Sequence, residues 1–163
     1  MFTEIQKLNA EVPFDIIAQD KTGKTVLLID VKARYLEGSQ HRDWFIEQVQ
    51  SYLQAANIKI PFAMLVDLEK IQIFRCDAPD WSEPVRYIQT AVVLNHYEPR
   101  YGKKRIFHHY LEGLVEAWLS DLAYHWKSKT PPASEQLAEI GLLQQLEEGT
   151  TYSEIALSGE TLY

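Results

Sequence analysis

Cysteine is nearly absent from this chain of 163 residues, in which Cys76 is the only one. An intrachain disulfide is therefore excluded, and a cysteine-based zinc site is not expected. No apolar run approaches the roughly 18 residues that cross a bilayer. The start of the chain, Met-Phe-Thr-Glu, has no signal-peptide pattern. We therefore expect a cytoplasmic protein that has no contact with a membrane.

Lysine and arginine are missing from residues 131–163, which carry six of the 23 acidic residues. Residues 1–130 contain the other 17 acidic residues and all 16 basic residues, so this part of the chain is close to neutral. We predict one domain over residues 1–130 and an acidic helix and tail over residues 131–163 that packs on it or trails from it. A local basic cluster at residues 100–105 fits either a phosphate contact or an ordinary solvated loop.

The hydrophobic pattern predicts an α/β domain, a mixed β-sheet flanked by helices, with extra helices at the C-terminal end. The predicted elements are extended chain over 5–18, strands over 25–32, 62–66 and 70–75, and helices over 42–57, 105–127 and 134–148. Residues 86–94 fit a strand or a helix equally well. The residues after Gly149 are predicted to form a loosely held tail.

Three charged residues lie within the apolar pattern of the first two predicted strands, namely Asp15, Asp30 and Lys32. Desolvating an unpaired charge is costly, so such groups persist where they are paired, hydrated or bound to an ion. Asp30 and Lys32 share one face of a strand, because side chains alternate. If a two-residue turn at Thr22-Gly23 joins the strands, paired residue numbers sum to 45 and Asp15 lies opposite Asp30. A three-residue turn would shift that register by one.

Two facing carboxylates repel each other, and a divalent cation between them makes the arrangement favourable. Carboxylate oxygens suit Mg²⁺ or Mn²⁺ and leave coordination positions for water and phosphate. Lys32 beside such an ion would orient an attacking water or stabilise charge that develops on a phosphate. The alternative interpretation is an ion-paired strand end in which Lys32 neutralises one acid.

The pattern Pro13-Phe14-Asp15 followed by Asp30-Val31-Lys32 resembles the signature of the PD-(D/E)xK nuclease superfamily, whose members have the restriction-endonuclease-like fold. Gln48 and Tyr52, spaced i and i+4 on the next predicted helix, resemble the QxxxY motif of RecB-type members. The resemblance covers roughly residues 11–75. The family pattern also has a Glu on an N-terminal helix, and the acids available there are Glu4 and Glu11.

The resemblance implies a Mg²⁺- or Mn²⁺-dependent deoxyribonuclease that hydrolyses phosphodiester bonds. It implies that Asp15, Asp30 and the Val31 carbonyl hold the metal, that Lys32 serves the nucleophile, and that Gln48 and Tyr52 support the site. The expected partner is nucleic acid, with DNA as the first choice.

Two other function classes remain open from the sequence. One is a catalytically inactive nuclease-fold module that binds nucleic acid or a protein partner. The other is a purely structural oligomerisation protein built on the Trp-rich helix over 105–127, and this class predicts no affinity for a metal. The same helix is the expected interface of a homodimer. The histidines, including His108 and His109, give no spacing beside a carboxylate that predicts a metal site.

Overall fold

The computed structural model describes residues 13–153, which form a six-stranded mixed β-sheet flanked by helices. The strands are β1 (Ile16–Gln19), β2 (Thr25–Val31), β3 (Phe62–Val66), β4 (Lys70–Arg75), β5 (Arg86–Gln89) and β6 (Thr150–Ser153). Their order across the sheet is β5-β4-β3-β2-β1-β6. Only β2 and β3 are parallel, and the other neighbours are antiparallel. The predicted α/β class with a mixed sheet is therefore confirmed.

The helices are α1 (Gln40–Ala56), α2 (Thr90–Leu94), α3 (His108–Tyr124), α4 (Ser134–Glu139) and α5 (Leu142–Leu146). The parallel pairing of β2 and β3 requires a crossover connection, which α1 supplies. The three helices α3, α4 and α5 bury leucines against the opposite face of the sheet from α1. The sheet is thus the middle layer of three.

Every residue of β2 is buried, which is typical of an inner strand covered on both faces. Leu27, Ile29 and Val31 pack in the core on the α3 side, and Leu28 packs in the core on the α1 side. Because side chains alternate along a strand, Asp30 points to the same side as Leu28. An acidic residue therefore occupies a core position at the end of the best-covered strand.

The predicted strands over 62–66 and 70–75 are confirmed to the residue, as is the hairpin that joins them. The ambiguous segment 86–94 contains both structures, since β5 passes directly into α2 at Thr90. The long helix is shorter than predicted and ends before His125, which adopts the left-handed conformation with φ of 56°. Trp118 is buried in the core, whereas Trp126 lies beyond the helix and is exposed.

The prediction of a single helix over 134–148 is wrong, because Gly141 adopts φ of 85° and separates α4 from α5. The prediction of a loosely held tail after Gly149 is also wrong for Thr150–Ser153, which form β6 and pair with β1. Leu137, Leu142 and Leu146 are buried in the same core as α3. The sequence signal for β6 is weak, because Thr-Thr-Tyr-Ser is polar and its pairing partner, β1, is far away in the sequence.

A membrane-crossing helix would need a length and an apolar character that no helix within residues 13–153 has.

Candidate active site

The charged residues Asp15, Asp30 and Lys32 meet at one edge of the sheet, where β1 begins and β2 ends. Antiparallel pairing of the two strands brings these ends together. The backbone N–H of Asp15 donates to the carbonyl of Ile29 at 3.0 Å, and the Val31 N–H donates to Oδ2 of Asp15 at 2.7 Å. The Asp15 carboxylate is thereby fixed against the Asp30-Val31-Lys32 backbone.

The register of the hairpin agrees with the predicted sum of 45, because Ile16 pairs with Ile29 and Ala18 pairs with Leu27. The predicted cause of this register, a two-residue turn at Thr22-Gly23, is wrong. Three residues, Lys21 to Gly23, lie between Asp20 and Lys24, whose backbones are joined by a 2.8 Å hydrogen bond. Near the turn Gln19 pairs with Thr25, and a β-bulge between Ala18 and Gln19 restores the register.

The Asp30 carboxyl is 4% exposed and lies within hydrogen-bonding reach of Asp15. Burial, the hydrogen bond with Asp15 and the charge of Asp15 together raise the pKa of Asp30 to about 7, although Lys32 opposes the shift. The Lys32 ammonium is 3.2 Å from Oδ2 of Asp30, and 28% of its side chain is exposed. Lys32 therefore pairs with Asp30, whose carboxyl lies beside that of Asp15, and the ammonium is within reach of solvent.

Helix α3 contributes two further residues that the sequence interpretation missed. Nε2 of His108 lies 3.5 Å from Oδ1 of Asp15 and 3.2 Å from Oε2 of Glu112, whose side chain is 1% exposed. His109 Nδ1 lies 3.7 Å from the same Glu112 oxygen. His108, His109 and Glu112 bring ligand atoms within 4.8 Å of one another, which is compatible with a metal ion.

A signal for these residues was present in the sequence. His108 and Glu112 are spaced i and i+4 on a predicted helix, so they share a helix face. The missing information was tertiary, because nothing in the pattern indicates that α3 begins beside Asp15. The prediction that no histidine has metal-ligand spacing beside a carboxylate is therefore wrong for this pair.

The QxxxY residues lie on α1 and are both half-buried. The ring of Tyr52 packs edge-on against Phe14, with ring centroids 5.5 Å apart, and Phe14 directly precedes Asp15. Within residues 13–153 no hydrogen bond joins Gln48 to Asp15, Asp30 or Lys32. Tyr52 thus adjoins the site through Phe14, whereas Gln48 does not contact the charged cluster. Glu4 and Glu11 lie outside the described residues.

Another buried acid at this edge of the sheet has a structural role. Asp67 directly follows β3, and its Oδ1 accepts hydrogen bonds from the backbone N–H groups of Glu69 and Lys70. The Lys70 ammonium is 3.2 Å from Oδ2 of Asp67 and also donates to the Leu36 carbonyl. These contacts tie Asp67 into the β3–β4 turn, where Oδ1 is hydrogen-bonded and Oδ2 is ion-paired with Lys70 without a hydrogen bond.

The two carboxylates offer hard oxygen ligands of the kind that Mg²⁺ and Mn²⁺ prefer. Burial first, and then the hydrogen bond and charge of Asp15, raise the pKa of Asp30, and a bound cation would favour its ionised form. Val31 contacts the cluster through its N–H, and its carbonyl as a ligand stays a prediction. The residues present therefore fit a divalent metal. Comparisons with models of protein families, with curated proteins and with solved structures found no match to this chain.

Proposed function

We propose that the protein is a metal-dependent nuclease of the PD-(D/E)xK type, with the restriction-endonuclease-like fold, that hydrolyses phosphodiester bonds of nucleic acid. The observation that carries the proposal is the convergence of Asp15, Asp30 and Lys32 at the end of an inner strand. An ion-paired strand end needs one acid for Lys32, and here the acid paired with Lys32, Asp30, has a second carboxylate, Asp15, beside it. The mixed sheet with the Asp-x-Lys residues at a strand end supports the fold assignment.

Mg²⁺ or Mn²⁺ held by Asp15, Asp30 and the Val31 carbonyl would polarise a phosphate oxygen and lower the pKa of a bound water. The Lys32 ammonium is held by Asp30 and partly exposed, so it can stabilise negative charge on a phosphate at the same place. The Val31 N–H holds the Asp15 carboxylate in orientation. Tyr52 acts as a positioning residue, because it packs against Phe14 and so supports the backbone of Asp15.

Metal binding tests the site directly. We expect calorimetric titration of Mn²⁺ into the wild type to give a binding signal that Asp30→Asn abolishes, because the amide keeps the shape of the carboxylate and loses its charge. Asp43→Asn, which removes an exposed carboxylate on α1, serves as the matched control and should bind as the wild type does. A Mn²⁺ affinity and stoichiometry in Asp30→Asn equal to those of the wild type would sink the site assignment.

Cleavage separates the nuclease from the inactive module. Wild type with Mg²⁺ or Mn²⁺ should degrade DNA, and Asp30→Asn should not. The inactive module is favoured by one observation, namely that among the described residues no hydrogen bond joins Gln48 to the charged cluster. It predicts metal binding that is lost in Asp30→Asn together with no cleavage of single- or double-stranded DNA or RNA by the wild type.

A further inference from the structure

A shallow groove runs along the surface beside the charged cluster. It consists of two adjoining cavities of about 430 and 260 Å³. The cavities share four lining residues, which are Tyr35, Leu68, Tyr101 and Gly102. The groove is therefore continuous, and a ligand longer than either cavity can extend through both.

Two of the chain segments that line the groove lead directly into the candidate active site. Ala33 lines the groove and is the residue after Lys32. Ile106 also lines it and precedes by two residues His108, whose ring is 3.5 Å from the Asp15 carboxylate. A polymer bound in the groove would therefore reach the carboxylate pair by continuing past Ala33 and Ile106.

Exposed aromatic rings line this groove. Tyr35 is 65% exposed and Tyr87 is 51% exposed, which is unusual for side chains of this size. The Tyr87 hydroxyl accepts a 3.0 Å hydrogen bond from Arg42, which fixes the orientation of its ring. Such rings offer flat apolar faces to a ligand that carries flat apolar faces of its own.

Basic residues lie in and beside the groove, and one acid, Glu69, also lines it. Arg34 precedes Tyr35, and Arg100, Lys103 and Arg105 lie on the segment that leads to Ile106. Among residues 13–153 none of these four forms an ion pair with an acidic side chain. Lys104 in the same segment is paired with Glu98 at 3.2 Å. The groove thus combines aromatic faces with one cation in its lining, Arg105, that is unpaired within residues 13–153, and with further cations on the adjoining chain segments, although the formal net charge of the chain is −7.

We propose that this groove binds a single strand of nucleic acid and delivers it to the Asp15 and Asp30 pair, an inference that rests on the proposed nuclease function. Arginine and lysine would contact the phosphates, and Tyr35 and Tyr87 would stack on bases. Stacking distinguishes the single strand from the duplex, because the faces of paired bases are hidden inside a double helix. The basic segment at residues 100–105 is then a phosphate contact rather than an ordinary solvated loop.

Fluorescence anisotropy with a labelled oligonucleotide of about 12 nucleotides, within the usual range of site sizes, tests the groove without cleavage. The full chain is titrated in EDTA against single-stranded DNA, single-stranded RNA and duplex DNA of the same sequence. We expect one of the single strands to bind at least about tenfold more tightly than the duplex, as one stacked base would provide. Equal or tighter binding of the duplex overturns the proposal.

Two pairs of variants locate the binding surface. Tyr35→Ala should weaken single-strand binding about tenfold, whereas Tyr124→Ala should not. Tyr124 is similarly exposed, at 57%, but lies at the last residue of α3, about 25 Å from its first residue at the usual helical rise. Arg105→Ala should weaken binding and reduce the slope of log affinity against log salt by about 0.7. Lys21→Ala, at an exposed lysine in the β1–β2 turn and so at the other end of β2 from Ala33, should leave the slope unchanged.

The outcome distinguishes failure of the groove from failure of the proposed function. Single-strand binding that depends on Tyr35, combined with no metal-dependent cleavage, supports the groove and contradicts the nuclease. DNA cleavage that depends on Asp30, combined with no effect of Tyr35→Ala or Arg105→Ala on binding, supports the nuclease and contradicts the groove.

Discussion

Asp30 couples the stability of the metal-free protein to pH. Its pKa is raised from the ordinary value of 3.8 to about 7 in the folded protein, chiefly by burial and by Asp15. Between these values the folded protein holds a proton that the unfolded chain has released, so the free energy of unfolding falls as pH rises. Thermal unfolding in EDTA should show a melting temperature that declines from about pH 4 to about pH 7.

The same experiment on Asp30→Asn identifies the group responsible. The amide does not titrate, so the decline should be much weaker, and above pH 7 the metal-free variant should be more stable than the wild type. Asp43→Asn should keep the wild-type dependence. A decline that persists unchanged in Asp30→Asn would assign the coupling to other groups.

Lys32 is expected to contribute to the reaction more than to the fold. It is partly exposed, and its ammonium contacts Asp30 at 3.2 Å. Lys32→Gln should lower the rate of DNA cleavage by about 100-fold or more, as loss of a preorganised charge at a transition state typically does. Steady-state kinetics measure this change, and Lys129→Gln is the matched exposed control. A variant that cleaves at the wild-type rate would remove Lys32 from the mechanism.

The sequence predicted the charged trio because a carboxylate or an ammonium inside an apolar strand is chemically conspicuous. Asp15, Asp30 and Lys32 could be found this way, and their pairing register could be counted. His108 and Glu112 could not be assigned, since helical spacing says which residues share a face and not which surface that face meets. The contact between α3 and Asp15 joins residues 93 positions apart, and no local pattern encodes such a distance.

At the scale of elements, the end of α5 and the start of β6 depend on a glycine with no space for a side chain. A Cβ atom on Gly149 would overlap the backbone carbonyl oxygen of Gln19 in β1. Gly149→Ala should therefore lower the free energy of unfolding by at least about 2 kcal/mol, because both partners are backbone and neither can rotate away. Denaturant unfolding measures the difference.

Gly113 provides the matched control for this substitution. It lies in the middle of α3 on an exposed position, and a Cβ there would meet no atom within 4 Å. Gly113→Ala should raise stability by about 0.5–1 kcal/mol, since alanine loses less conformational entropy in a helix. If both variants behave alike, close approach at Gly149 is not the cause of the loss.

Helix ends were the elements least accessible to prediction. The apolar stripe of α3 continues past its end, but the backbone turns left-handed at His125, so Trp126 leaves the stripe. At the other break, Gly141 was visible in the sequence, but a glycine inside a helical pattern is often tolerated. Strands bounded by turn residues were easier to predict, and the predicted bounds of β3 and β4 agree with the structure.

For the whole molecule, the C-terminal helices and β6 complete the same sheet and core as the earlier elements, so they should unfold with them. Leu142→Ala should lower the free energy of unfolding by about 2–5 kcal/mol, because it leaves a cavity in that core. Circular dichroism and tryptophan fluorescence should report one coincident transition at a lower denaturant concentration. Val92→Ala, at an exposed position, should change little. Two separate transitions would indicate that residues 131–153 form an independent unit.

The β-bulge between Ala18 and Gln19 has a consequence for insertions and deletions in this chain. The turn after it holds three residues, and the bulge absorbs the extra one before the strands reach Ile16 and Ile29. The length of the turn therefore does not by itself decide whether Asp15 lies opposite Asp30. When the hairpin turn changes length by one residue, a change at the bulge can restore the register of the strands. Asp15 and Asp30 then stay opposite each other.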